Sequence, residues 1–273
     1  MSEHVLEAET AVVERSAPAR AVRDALALTW RNLIAYRRVP QLLVFSTIQP
    51  VVFVVMFRYV FGGAIGVPGP FPYVDFLMPG VFVQTVVFGA IATAIGLATD
   101  MKSGLMERFR SLPMARSAVL AGRTLADLVR NVFVILLMLA VGFLVGFRVH
   151  TDVLGLIGGI LVLLLFGYAM SWIFATVGLA VGDPETAQAA AFPVLAPLVF
   201  ASSLFVPVQS MPGWLQPWAD HQPVSVTAKA VRFLTLGDSS VGSATDLVQA
   251  LIWIVGILVV FAPLAVRRYR RAI

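Results

Sequence analysis

Residue types that carry covalent chemistry are scarce in this sequence. Cysteine is absent, which removes thiolate nucleophiles, disulfide frameworks and thiolate metal sites. The three histidines, His4, His150 and His221, lie far apart and match no zinc-protease spacing. Lysine occurs only as Lys102 and Lys229. Neither sits in the Gly-x4-Gly-Lys-Ser/Thr setting in which backbone amides cradle a nucleotide's phosphates. No paired aspartate falls in an apolar run, and no Gly-x-Ser-x-Gly elbow presents a serine. The adjacent pair Asp220 and His221 is assigned no chemistry. The chain therefore reads as a non-enzyme without metal or cofactor of its own.

What remains is binding chemistry, in two places. A polar stretch from Asp100 to Arg130 contains Gly104-Leu-Met-Glu-Arg-Phe-Arg-Ser-Leu-Pro113. A short helix ending before Pro113 would combine Glu107, Arg108 and Arg110 with Leu105, Met106, Phe109 and Leu112. Such a knob suits a groove on a soluble partner, apolar anchors central and charges at the rim. It equally suits basic charge held beside a membrane, its apolar residues resting on lipid. The second place is the apolar segments, where Gln49, Gln84, Thr85, Ser202 and Ser203 share spans with Phe45, Phe53, Phe82, Phe88 and Phe200. These groups suit an apolar or amphipathic ligand held by burial and a few hydrogen bonds. They also suit static helix–helix hydrogen bonding and lipid contact. The fifteen acids fall outside the middle of the apolar segments, so no charged clamp and no ion-coupling carboxylate is expected there. Energy for any movement must then come from elsewhere, or none is used.

The elements that position these groups follow from composition. Of 273 residues, 59% are hydrophobic and 13% charged, against about 25% charged in an ordinary soluble domain. So little charge cannot coat a soluble protein, and an all-α integral membrane protein is expected. Six stretches approach the roughly 20 apolar residues that cross a bilayer: 41–61, 76–99, 131–147, 153–181, 190–208 and 246–266. No secretory signal precedes them. Of the 20 Lys and Arg, six precede the first stretch, six lie between the second and third, and four follow the last. That asymmetry places both termini in the cytoplasm, and it makes nucleic acid an unneeded explanation for a net charge of +5. Residues 1–19 read as a disordered cytoplasmic tail. Residues 20–39 read as an amphipathic helix broken at Pro40, serving as a surface anchor or as a mechanical connector. Residues 40–268 hold the six spans. Pro50, Pro193 and Pro197 interrupt spans one and five. The pairs Gly142/Gly146 and Gly155/Gly159 permit close helix approach, and Trp214 and Trp218 mark a membrane surface.

Three blocks in this order and spacing resemble the membrane subunits of ABC type-2 transporters, in particular the daunorubicin/doxorubicin-resistance permease group of bacteria. They are Tyr73-Val-Asp-Phe-Leu-Met-Pro-Gly80, the stretch from Gly104 to Arg123, and Phe192 to Pro207 continued through Met211-Pro-Gly-Trp-Leu-Gln216, Gln222-Pro223 and Ala230-Val-Arg232. The resemblance implies a half-transporter in a bacterial cell membrane. A second permease subunit, identical or paralogous, would complete it, and each would bind a separate ATP-binding-cassette subunit that carries ATP and Mg. Glu107, Arg108, Phe109, Arg110, Leu112 and Pro113 would form the coupling helix, and Gly182–Gln188, with Asp183 and Glu185, a second contact. The segment 207–245 would dip back into the outer leaflet and cap the exit. The cargo would be a hydrophobic or amphipathic drug, antibiotic or lipid, exported from the cell. An ATP-independent channel or structural membrane protein is the alternative.

Overall fold

The computed structural model describes residues 17–38, 41–105 and 116–272, with side chains placed for 22–34, 47–105 and 120–270. Within them the chain is helical, and its one β feature is an isolated bridge between Ser239 and Gly242. Helix α1 (Ala17–Arg38) precedes α2 (Gln41–Val55), which runs into a π-helical turn, Met56–Phe61. Helices α3 (Tyr73–Gly89) and α4 (Ile91–Lys102) form one rod interrupted at Ala90. Then come α5 (Arg116–Val145), α6 (Val153–Val181) and α7 (Pro184–Phe200). Two further helices, α8 (Gln216–His221) and α9 (Pro223–Leu236), lead to α10 (Ala244–Ala272).

Among the described residues, four units are long and apolar enough to span a membrane: Tyr73–Lys102, Leu120–Val145, Val153–Val181 and Ala244–Arg270. Helix α2 and the π-helical turn after it are also apolar over Thr47–Phe61, the part whose side chains are described. Two expected stretches are drawn differently. The third, expected at 131–147, belongs to a helix that begins at Arg116 and keeps Asp127, Arg130 and Asn131 buried rather than leaving them in a loop. The fifth, expected at 190–208, starts at Pro184 and stops at Phe200. Asp183 starts it by accepting from the Thr186 amide, and Pro193 and Pro197 withhold helical donors near its end. Ala201 leaves helical geometry, and the chain turns through 202–206.

The core is built around α6, which packs on α10, α4, α9 and α5. Helix α3 is buried from Tyr73 through Val87, between α9, α5, α6 and α2. The glycine pairs serve contacts inside the chain. A Cβ at Gly155 would lie 2.4 Å from the Leu234 carbonyl oxygen, so α9 can press directly on α6 there. Gly142 accommodates Met78, while Gly146 ends α5 with a positive φ of 105°.

Helix α1 has two working faces. Ala25, Leu28, Thr29 and Asn32 are buried against α5, whereas Val22, Leu26 and Trp30 are 58–65% exposed on another stripe. Burial of Leu28 contributes about 1.5–3 kcal/mol. The anchor and connector readings thus correspond to different faces of one helix.

Candidate functional site

The interruption between α3 and α4 sits midway along the 30-residue rod Tyr73–Lys102. The turn tightens there: the Thr93 amide donates to Ala90 rather than to Gly89, at 3.0 Å. The Gly89 carbonyl, freed from its helical donor, accepts from Arg130 Nη2 at 2.6 Å. One turn on, Arg123 Nη2 donates to the Ala92 carbonyl at 2.8 Å. Gly89 and Gly96 lie seven residues apart, as do Arg123 and Arg130 on the facing helix α5. Two helical turns separate each pair, so the guanidinium groups meet the glycines in order. A Cβ at Gly96 would fall 1.8 Å from Arg123 Nη2, and one at Gly89 would fall 2.6 Å from Arg130 Nη2. Only hydrogen at these positions lets the arginines lie against the rod.

Beside this seam is a cavity of about 390 Å3, within the range that holds a drug-sized molecule. Gln49 and Pro50 of α2, Gln84, Thr85 and Phe88 of α3, Ile91 and Ile95 of α4, and Arg123, Arg130, Asn131 and Val134 of α5 face it. The expectation of no charged clamp is overturned here. Arg123 and Arg130 line the cavity from inside the helix bundle, because α5 continues as a helix through the stretch assigned to a loop. Arg130 is 7% exposed. Desolvating a guanidinium costs several kcal/mol, whereas one charged hydrogen bond to a carbonyl returns about 1.5–3 kcal/mol. The carbonyl bonds alone leave the two charges poorly compensated. Asp127, between them in sequence, accepts from Thr93 Oγ1.

The edge of the bundle where α4 ends is tied by charge. Arg31 of α1 reaches Asp100 at 3.4 Å, and Lys102 at the end of α4 donates to Asp183 at 2.7 Å. Asp183 also accepts from the Thr186 amide and hydroxyl at 3.0 Å each. Led by the Lys102 bond, with the Thr186 bonds adding, this holds its carboxyl down at about 2. Asp183 thus fastens α4 to the start of α7. Glu185 is exposed in the first turn of α7. Glu107, Arg108, Phe109, Arg110, Leu112 and Pro113 lie outside the described residues.

At the opposite end, Arg232 of α9 is 1% exposed. Its Nε donates to the Phe76 carbonyl at 3.0 Å, and Nη2 donates to the carbonyls of Ser203 and Leu204 at 2.9 and 3.0 Å. The guanidinium carbon sits 3.6 Å from the centre of the Phe76 ring. Tyr73 Oη donates to the Phe205 carbonyl at 2.8 Å. A Cβ at Gly80 would lie 2.1 Å from the Leu204 oxygen, so α3 can approach the turn after α7 only with glycine there. Asp75 accepts from the Arg148 amide at 2.9 Å and pairs with His150 at 2.7 Å. The sequence blocks Tyr73–Gly80 and 192–232 are therefore two sides of one latch. Helices α8 and α9 fold onto it, with Trp214 and Trp218 exposed beyond.

The expected pathway residues are divided between places. Gln49, Gln84 and Phe88 line the cavity. Phe53 packs with Phe57 and Phe205, ring centres 5.9 and 5.7 Å away, toward the latch. Phe82 is 3% exposed, edge-on to Phe147 in the core. Ser202 is turned back on the Val199 carbonyl, and Ser203 faces a separate cavity of about 160 Å3 beside Arg232. Phe200 is 54% exposed on the outside of the bundle, and nothing is placed for the Phe45 side chain. Ser202, Ser203, Phe53, Phe82 and Phe200 therefore do not share a surface with Gln49 and Gln84. Residue-type reasoning missed Arg123, Arg130, Asn131 and Arg232. The matched seven-residue spacings of Gly89/Gly96 and Arg123/Arg130 were a readable signal for the first two.

The ABC-2 type transporter family matches residues 23–236. The daunorubicin resistance ABC transporter permease protein DrrB1 of Streptomyces coeruleorubidus is 39% identical over 257 residues, covering 94% of this chain and 89% of that one. The probable doxorubicin resistance ABC transporter permease protein DrrC of Mycobacterium tuberculosis is 30% identical over 252 residues, 92% of this chain and 90% of that one. The inner membrane transport permease YadH of Escherichia coli is 25% identical over 225 residues, 81% and 82% of the two chains. With its apolar helices and family match, the chain is a multi-pass membrane protein that belongs to the ABC-2 type transporter family.

Proposed function

We propose that this chain is the membrane-spanning subunit of an exporter that moves a hydrophobic or amphipathic compound out of the cell. A separate ATP-binding-cassette subunit holds ATP and Mg and supplies the energy. The observation that carries the reading is the 390 Å3 cavity halfway along the broken rod Tyr73–Lys102, in a chain whose relatives are named as drug-resistance permeases. The cavity borders α4, and the sequence after α4 holds Glu107 and Phe109, so a push on that stretch reaches the cavity through one helix. In this reading Glu107, Arg108, Phe109, Arg110, Leu112 and Pro113 couple to the ATPase. Asp183 and Glu185 form a second contact, fastened to α4 through Lys102. Both termini face the cytoplasm, and a second permease subunit completes the pathway.

The test is reconstitution with the partner ATPase in vesicles, using a cargo panel of neutral, anionic and cationic amphipathic compounds. Phe109→Ala and Glu107→Gln are expected to insert normally yet lose cargo-stimulated ATP hydrolysis and transport at least tenfold. Unchanged coupling in both variants overturns the coupling assignment.

A further inference from the structure

The cavity carries hydrogen-bonding capacity that the fold leaves unused. Gln84 is 2% exposed, and neither its Nε2 nor its Oε1 has a partner. Asn131 is 3% exposed, with Nδ2 unpartnered, and Arg123 Nε is buried and unpartnered as well. A purely structural role for the arginines, stapling α5 to the broken rod, explains one Nη2 bond each to Ala92 and Gly89. It does not explain a buried amide with both ends free, because such groups are nearly always satisfied in a folded chain. The four side chains offer donors in surplus: two guanidinium groups and two amide nitrogens. No carboxylate lines the cavity; Asp100 acts on Arg123 by charge from the end of α4, and Arg130 Nη2 donates a second bond to Asn131 Oδ1 at 3.2 Å. The rest of the wall is apolar, with Pro50, Phe88, Ile91, Ile95 and Val134. One end of the cavity is positive and donor-rich, and the other is hydrocarbon.

We propose that the cavity selects an amphipathic compound by an anionic head group, a phosphate or carboxylate, held by Arg123 and Arg130 with Gln84 and Asn131. The apolar body lies against Phe88, Ile95 and Val134. Guanidinium groups recognise such oxyanions through paired N–H donors. Gln84 and Asn131 supply further donors around the oxygens. A cation of the same shape meets two like charges in a site of low dielectric and is rejected. This names the cargo class of the proposed permease and rests on that reading for the fact of transport. The binding itself requires no ATPase.

The test uses the purified full chain in nanodiscs of zwitterionic phosphatidylcholine, with three radiolabelled probes of one chain length. These are dodecyl phosphate, dodecanol and dodecyltrimethylammonium. The expected result is dodecyl phosphate binding at least tenfold tighter than either of the others. Arg123→Gln and Arg130→Gln should each remove most of that preference. Two milder variants guard against misfolding. Gln84→Glu, close in shape, should weaken the phosphate probe at least tenfold and restore binding of the cation. Gly96→Ala should displace the Arg123 guanidinium and reduce the preference with the arginine still present. Addition of phosphatidylglycerol distinguishes sources: competition assigns the head group to a membrane lipid, and its absence assigns it to a single-chain compound. Competition by inorganic phosphate alone at the same concentration overturns the amphipathic part. Equal binding of all three probes, or a preference for the cation, overturns the proposal. Either result leaves ATPase coupling through Phe109 as a separate measurement, so the failure of this inference is distinguishable from failure of the permease reading.

Discussion

Arg232 shows how one residue can hold an entire end of a membrane protein. It donates to three main-chain carbonyls on two separate segments, those of Phe76, Ser203 and Leu204, with the Phe76 ring beneath it. Remove the guanidinium, and buried acceptors lose their donors at about 1–3 kcal/mol for each one left unsatisfied. Lysine keeps the charge but not the planar fork, so it cannot serve both segments in the same geometry. Arg232→Met is therefore expected to lower the thermal midpoint in detergent substantially, and Arg232→Lys to restore only part of the loss. An unchanged midpoint in Arg232→Met sinks the latch assignment. The same logic applies at the inner seam, where an arginine and a glycine are read together: Arg130 with Gly89, Arg123 with Gly96.

Helix α1 transmits to the bundle through a small-residue contact. A Cβ at Gly122 of α5 would fall 2.6 Å from the Leu28 Cβ and 2.8 Å from the Ala25 carbonyl oxygen. Thr29 Oγ1 adds a donated bond to the Gly122 carbonyl at 3.2 Å. Because the opposing atoms at this point include backbone, a larger side chain cannot be accommodated by a rotamer change. Gly122→Leu is expected to lift α1 from α5 and to speed tryptic cleavage at Arg23 and Arg31 at least severalfold. The four apolar spans should remain intact by circular dichroism. Cleavage at the unmodified rate would show that α1 does not depend on this contact. Helix α1 joins at one edge to the pair Arg31–Asp100, and α4 joins onward to α7 through Lys102–Asp183. Helices α1 and α7 are thus both linked to α4, which borders the cavity.

At the scale of the molecule, the charges are sorted rather than absent. Sixteen of the 20 basic residues fall before the first expected span, between the second and third, or after the last, in groups of six, six and four, and the expected topology gathers these segments on one side. The remaining four are Arg58, Arg148, Lys229 and Arg232, of which Arg232 is consumed by the latch. A phosphatase domain, active only outside the cytoplasm, is therefore expected to be inactive when fused after Ile273 and active when inserted at Gln209. Activity at the C-terminal fusion would reverse the orientation. The apolar spans were legible because they follow from local composition: hydrocarbon thickness sets their length, while sidedness is an expectation carried by the basic flanks. Gln49, Gln84 and Phe88 were legible as polar or aromatic groups in apolar runs. Their separation from Ser202, Ser203 and Phe53 was not, because those residues share helices but not faces toward one cavity.

By itself the sequence determined that this chain lives in a membrane, and its basic flanks supply the expectation that both termini face the cytoplasm. It also placed the blocks through which it resembles the ABC type-2 permeases. Only the tertiary structure decided where charge enters the bundle. Arg123 and Arg130 read as loop charges because local hydropathy falls around them. Facing glycines on α3 and α4 remove the steric bar, and the tightened turn at Ala90 frees a carbonyl to receive one of them. That compensation is a property of two helices together, so no window of either one contains it.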